Sequence, residues 1–167
     1  MTVYADSFAQ WIVETDGASL GNPGPAGIGV VIRNATNRRI VRQCSGYIGE
    51  TTNNVAEYKA FLHALDEVLR HRWFPVVFIA DSELLVRQIT GQYRVRKPHL
   101  KPLYNLAREK LKQIPVWTIR SVPRNKNRAA DHLARTSARK RMPLHCRDHP
   151  SDGLTESAPA GSNHASS

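Results

Sequence analysis

The sequence predicts an α/β domain: a five-stranded mixed sheet, with three antiparallel strands followed by parallel additions, flanked by helices. Two observations carry this. The first 50 residues alternate apolar runs with dense Gly, Pro and Asn punctuation and show no helical period. Beyond Thr51 the apolar spacing becomes helical and then alternates between helical stretches and short apolar runs, as β-α-β crossovers require.

Trp11 to Asp16 reads as the first strand, ending in Asp-Gly-Ala-Ser. Gly21-Asn22-Pro23-Gly24-Pro25 supplies a turn, and Gly27 to Ile32 a second strand. Residues 34–37 form a hairpin connection into a third strand over Arg38 to Ile48. Thr51-Thr52-Asn53-Asn54 offers capping side chains to a helix from Val55 to Arg72. Its apolar positions are Tyr58, Phe61, Leu62, Leu65, Val68 and Leu69. Pro75 stops it. Val76 to Ala80 is apolar throughout, the pattern of a strand covered on both faces. A short helix over Ser82 to Ile89, a basic loop over Gly91 to Pro102 and an amphipathic helix over Leu103 to Ile114 follow. Pro115 to Arg120 is the fifth strand, and a last helix starts at Asn125 or Asn127 and runs to Lys140. The order is β-β-β-α-β-α-α-β-α. We take residues 1–9 as an N-terminal extension, 10–142 as the domain, and 143–167, poor in large apolar residues, as a disordered tail.

With 167 residues the chain suits one domain. No apolar run approaches the roughly 20 residues that cross a bilayer, and residues 1–6 lack the order of a signal peptide. A cytoplasmic protein is the expectation, with no membrane association and no obligate protein partner. Cys44 and Cys146 are far apart and lack metal-type spacing, which fits a reducing compartment and argues against a disulfide scaffold; Cys44, in a strand, reads as plain core. His145, Cys146 and His149 read as an incidental grouping. The formal charge is +10. Arg147 stands against Asp148, Asp152 and Glu156, so residues 143–167 carry −2 and the first 142 carry +12. A charge of this size on one domain points to a polyanionic partner, although a generally basic surface would give the same count.

Four carboxylates hold the chemistry. Glu57 shares a helical face with Phe61, Ala64, Leu65 and Val68. An acid there is costly unless something cationic meets it, unless the first turn stays in solvent. Asp16 and Asp81 each follow an apolar strand. If those strands are parallel neighbours, both acids emerge at one sheet edge; each could also be a simple turn former or cap. Asp131 borders the packing face of the last helix. Several acids meeting at one point repel each other, and a hard divalent cation with oxygen ligands relieves that. Mg²⁺ fits, with Mn²⁺ as substitute. Two such ions roughly 4 Å apart can drive an in-line phosphoryl displacement.

At these residues a family resemblance appears. Asp16-Gly17-Ala18-Ser19 through Gly27, Thr52-Asn53-Asn54-Val55-Ala56-Glu57, Asp81-Ser82 with Leu85-Val86, and Pro123 through Ala134 resemble, in order, the motifs of type 1 ribonuclease H. The likeness runs from about Trp11 to Arg139. It implies the ribonuclease H-like fold and cleavage of the RNA strand of RNA–DNA hybrids. It assigns metal binding and catalysis to Asp16, Glu57, Asp81 and Asp131. It also places Asn22, Asn53 and Asn54 in the hybrid's minor groove and Thr52 on a phosphate. Amides both donate and accept, which suits a wide groove displaying 2′-hydroxyls; capping alone is the plainer role for the Asn pair. Arg94, Arg96, Lys97 and Lys101 of the basic loop, with Arg124 and Asn127 of the last motif, complete the candidate substrate contacts.

Two departures stand out. Many relatives carry His where this chain has Ser121, ten residues before Asp131. Serine cannot titrate near neutrality, so a slower or more metal-dependent enzyme is expected. The basic protrusion of some relatives is reduced to Gly91 through Lys101, and Glu83 falls where Gln is common. Two other readings stay open: a binding module that kept the fold without the chemistry, and a DNA-cutting nuclease of the same fold.

Overall fold

Residues 7–150 are described here from a computed structural model of the chain. Strands β1 (Trp11–Ser19), β2 (Gly24–Asn34) and β3 (Ile40–Thr51) form the expected antiparallel meander. Helix α1 (Asn53–His71) leads to β4 (Val76–Ala80), which pairs parallel with β1. Helices α2 (Glu83–Ile89) and α3 (Lys101–Leu111) precede β5 (Trp117–Ser121), parallel to β4. A 3₁₀ turn over Arg124–Lys126 leads into α4 (Arg128–Lys140).

The sheet has six strands, not five. Residues His145–Asp148 form β6, antiparallel to β3, and the order is β5-β4-β1-β2-β3-β6. The expected disordered tail therefore fails over this stretch; its remainder, from residue 151, lies outside the described residues, as do residues 1–6. An edge strand needs backbone partners more than apolar side chains, so composition does not reveal it. His149 N donates to Val41 O at 2.9 Å and Tyr47 N to Met142 O at 2.7 Å. The expectation of unpaired thiols also fails, because Cys44 and Cys146 are disulfide-bonded. They are register partners on β3 and β6, 4.1 Å apart at Cα. Sequence spacing says nothing about a contact that a sheet register creates.

Alternate residues of each strand face opposite ways. Val13, Val30, Ile32 and Phe78 pack with Phe61, Leu65 and Val68 of α1 to form the main core. Ile12, Val77 and Ile79 form a smaller cluster on the other face. All of β4 is buried, as its uniform apolarity requires. Two close approaches set the helices. A Cβ on Gly17 would lie 2.1 Å from the backbone of Ala56, so α1 sits directly against β1. On the opposite face a Cβ on Gly29 would lie 2.3 Å from Ala130 O of α4. Only glycine permits either contact.

Gly17→Ala is expected to push α1 off β1 and to destabilise the protein by about 3 kcal/mol, the upper range for overpacking. A denaturant titration checks it, and an unchanged midpoint would contradict the packing described.

Candidate active site

The carboxyl end of β4 and the middle of β1 bring the first two acids together. Thr15 pairs with Ala80, so Asp16 and Asp81 follow on adjacent parallel strands. Strand β1 continues to Ser19 rather than ending at Asp16, because Asp16 still pairs with Gly29 of β2. Asp81 is free of capping duty: Ser82 accepts from Leu85 N at 3.2 Å and caps α2 itself. Thr52 caps α1 in the same way, accepting from Val55 N at 3.3 Å.

Glu57 lies one turn into α1 and is buried, so the solvent-exposed reading is wrong for it. The glycine contact brings it in. With no side chain at position 17, α1 approaches closely enough for Gly17 N to donate to Glu57 Oε2 at 3.3 Å. Asp16, Glu57 and Asp81 each offer an oxygen within 4.8 Å of the others. Asp16 and Glu57 are buried and Asp81 is half-buried.

Asp131 sits in the first turn of α4, where its charge suits the helix dipole. It stands outside the 4.8 Å trio, but its charge raises the Glu57 and Asp81 carboxyls. Its Oδ1 also accepts from Arg135 Nε at 2.9 Å and faces Arg124 at 3.3 Å. The fourth acid therefore borders the trio with two arginines on it. Arg135 lines the same pocket of about 220 Å³ as Asp16, Glu57, Asp81, Asn53 and Arg124. Sequence reasoning overlooked Arg135, although its position four residues after Asp131 on one helix is a readable signal.

Burial raises the Asp16 carboxyl far above the ordinary carboxylate range, and the charges of Glu57 and Asp81 add to it. Burial also raises Glu57, reinforced by Asp81 and opposed by the hydrogen bonds from Asp16 and Gly17. Asp81 is raised by burial and Asp131, against the pull of Asp16, Arg124 and Asn127. Acids in this condition either hold protons or accept a cation. The donor set is all carboxylate oxygen, hard and anionic, which fits a divalent metal ion.

The remaining candidates divide. Asn22 and Asn53 meet at the rim: Asn53 N donates to Asn22 Oδ1 at 3.1 Å, and Asn53 Oδ1 accepts from Ser19 N at 3.4 Å. Asn54 is half-buried beside them. Arg94 and Lys101 line a separate groove with Tyr93 and Tyr104, and Arg96 and Lys97 are exposed on the same connector. Asn127 lies inside the fold rather than on its surface. It is fully buried, and its Nδ2 donates to Thr15 O at 2.9 Å, so it ties the start of α4 to β1 beside Asp16. An Asn in a basic, polar motif looks exposed in sequence, and only the packing shows otherwise. Ser121 pairs with Ala80 and lines a cleft with Asp81, Glu83 and Arg124.

A family model described as "Reverse transcriptase-like" matches residues 14–137. The "Bifunctional protein Rv2228c" of Mycobacterium tuberculosis is 37% identical over 123 residues, 74% of this chain and 34% of that protein. The chain thus spans about a third of that relative's length. The crystal structure of RNase H1 from Halobacterium salinarum aligns at 36% identity with a TM-score of 0.75, covering 78% of this chain and 98% of that one. LC11-RNase H1, solved in complex with an RNA/DNA hybrid, aligns at 41% identity with a TM-score of 0.72, covering 78% and 97%. The fold and site define a ribonuclease H-like domain with an acidic centre. The chain belongs to the type 1 ribonuclease H family.

Raised carboxyl pKa values have a stability consequence. A group whose folded pKa exceeds its unfolded value stabilises the fold at low pH and loses that contribution as pH rises through the folded value. Between pH 6.5 and 9 the chelator-treated protein should therefore melt at progressively lower temperature. Asp16→Asn should raise the melting temperature and flatten the slope. A wild-type melting temperature that is flat or rising over this window would contradict the electrostatics.

Proposed function

We propose that this domain hydrolyses the RNA strand of RNA–DNA hybrids at the pocket lined by Asp16, Glu57 and Asp81, with Asp131 beside it. The observation that carries the reading is the convergence of buried carboxylates from β1, α1 and the end of β4 on one small pocket. These four residues would hold Mg²⁺, with Mn²⁺ as substitute and two ions per site. Bound there, the ions would supply Lewis acidity to the scissile phosphate and stabilise charge developing in the displacement.

The chain's own residues do the rest. Asn127 and the Gly17 amide fix the orientation of the acids. Asn22, Asn53 and Asn54 at the rim suit a wide minor groove with 2′-hydroxyls, and Thr52 stands beside them for a backbone phosphate. Arg124, at the pocket wall, and the exposed Arg94, Arg96 and Lys97 supply positive charge along the duplex. The net charge of +10 agrees with a polyanionic substrate. No helix among the described residues is long and apolar enough to cross a membrane, and a cytoplasmic site of action goes with this reading.

Labelled hybrid, duplex RNA and duplex DNA incubated with Mg²⁺ or Mn²⁺ should show cleavage of the hybrid's RNA strand alone. Asp16→Asn should lower the rate by at least about 10³-fold, since several kcal/mol of charge stabilisation depend on the site, while hybrid binding persists. Cleavage of duplex DNA in place of the hybrid, or an active Asp16→Asn enzyme, would refute the proposal.

Ser121 lines the neighbouring cleft with Asp81, Glu83 and Arg124, and its side chain cannot titrate near neutrality. Ser121→His should raise turnover on the hybrid in Mg²⁺. An unchanged turnover number would remove any significance from this departure.

A further inference from the structure

A second cluster of ligand-type side chains lies at the far edge of the sheet, between β3, β6 and α1. Cys44 of β3, Cys146 of β6, and His63 and Glu67 of α1 each offer a donor atom, all within 4.8 Å of one another. His63 and Glu67 are four residues apart and so share a helix face. Cys146 Sγ lies 3.5 Å from His63 Nε2 and 3.8 Å from Glu67 Oε1, and His63 Nε2 lies 3.7 Å from Glu67 Oε1. In a tetrahedral zinc site with bonds of about 2.0–2.3 Å, sulfur and nitrogen donors lie roughly 3.5 Å apart, sulfur and oxygen about 3.6 Å, and nitrogen and oxygen about 3.4 Å. The Cys146–His63 edge matches, and the two edges to Glu67 are longer by about 0.2–0.3 Å.

We propose that Cys44, Cys146, His63 and Glu67 form a structural zinc site once the Cys44–Cys146 disulfide is reduced. Glu67 is fully buried, and its second oxygen is held in place by charged neighbours. Arg42 Nε holds Oε2 at 2.6 Å and His71 faces the same oxygen at 3.4 Å. Oε1 is left towards Cys146 and His63, with the solvent-exposed Arg70 at 3.3 Å. Outer partners of this kind orient ligands and tune metal affinity. Two thiolates and one carboxylate exceed the charge of Zn²⁺ by one, and Arg42 supplies the balance.

The steps balance as thiol–disulfide exchange followed by metal binding. A dithiol reductant gives two electrons and two protons to the Cys44–Cys146 bond and closes to its own disulfide. Zn²⁺ then displaces one proton from each thiol to solvent. Oxidised or zinc-loaded, the cluster holds β6 to β3; zinc adds a direct tie to α1.

The test uses the full chain, reduced with a dithiol and separated from it without air. Titration with Co²⁺ should give a thiolate-to-cobalt charge-transfer band and tetrahedral d–d bands, saturating at one ion per chain and bleached by one equivalent of Zn²⁺. Asp16→Asn should leave these bands intact, which separates them from ions at the acidic pocket. Cys146→Ser should abolish the charge-transfer band of a two-thiolate site. His63→Ala, a part-exposed position that the fold tolerates, should weaken zinc binding at least about tenfold. Absence of a thiolate band in the reduced wild type, an unchanged spectrum in Cys146→Ser, or undiminished affinity in His63→Ala would overturn the site.

Discussion

Mutual repulsion among Asp16, Glu57 and Asp81 is the constraint around which this domain is arranged. Their oxygens lie within 4.8 Å of one another, two of the three side chains are buried, and like charges in that geometry cannot all ionise unaided. The rest of the chain forces them together. Parallel pairing of β1 with β4 sets Asp16 beside Asp81. The absence of a side chain at Gly17 lets α1 deliver Glu57. Asn127, buried and bonded to Thr15 O, anchors the helix that carries Asp131. The core under α1 provides the cohesion that this costs.

Much of this was legible in the sequence because the signals were violations of pattern. Glu57 is an acid on a stripe that otherwise carries Phe61, Leu65 and Val68. Asp16 and Asp81 sit where two apolar runs meet polar residues. The strand and helix order was legible for a related reason, since the period of apolar residues changes at Thr51 and changes back at Val76. Up to α4 only boundaries moved: β1 extends three residues past Asp16 because β2 still pairs with it.

What the sequence did not reveal depends on contacts between distant segments. Strand β6 carries no apolar alternation, so its pairing with β3 left no trace in composition. Cys44 and Cys146 are 102 residues apart and meet only through that register. Asn127 has the composition of a surface residue and the burial of a core one. Arg135 and Arg124 both hold Asp131; the first was readable from its i,i+4 spacing and overlooked, and the second was expected to contact substrate rather than an acid. These arginines also set positive charge in the pocket wall beside the acids.

On our reading, the raised carboxyls of this pocket exchange protons for divalent cations. Calorimetric titration with Mn²⁺ near neutral pH, repeated in buffers of different ionisation enthalpy, measures that exchange directly. The account requires an apparent binding enthalpy that varies with the buffer and reports net proton release. A saturable Mn²⁺ isotherm with the same enthalpy in every buffer would show that the carboxyls were already ionised, and would contradict it.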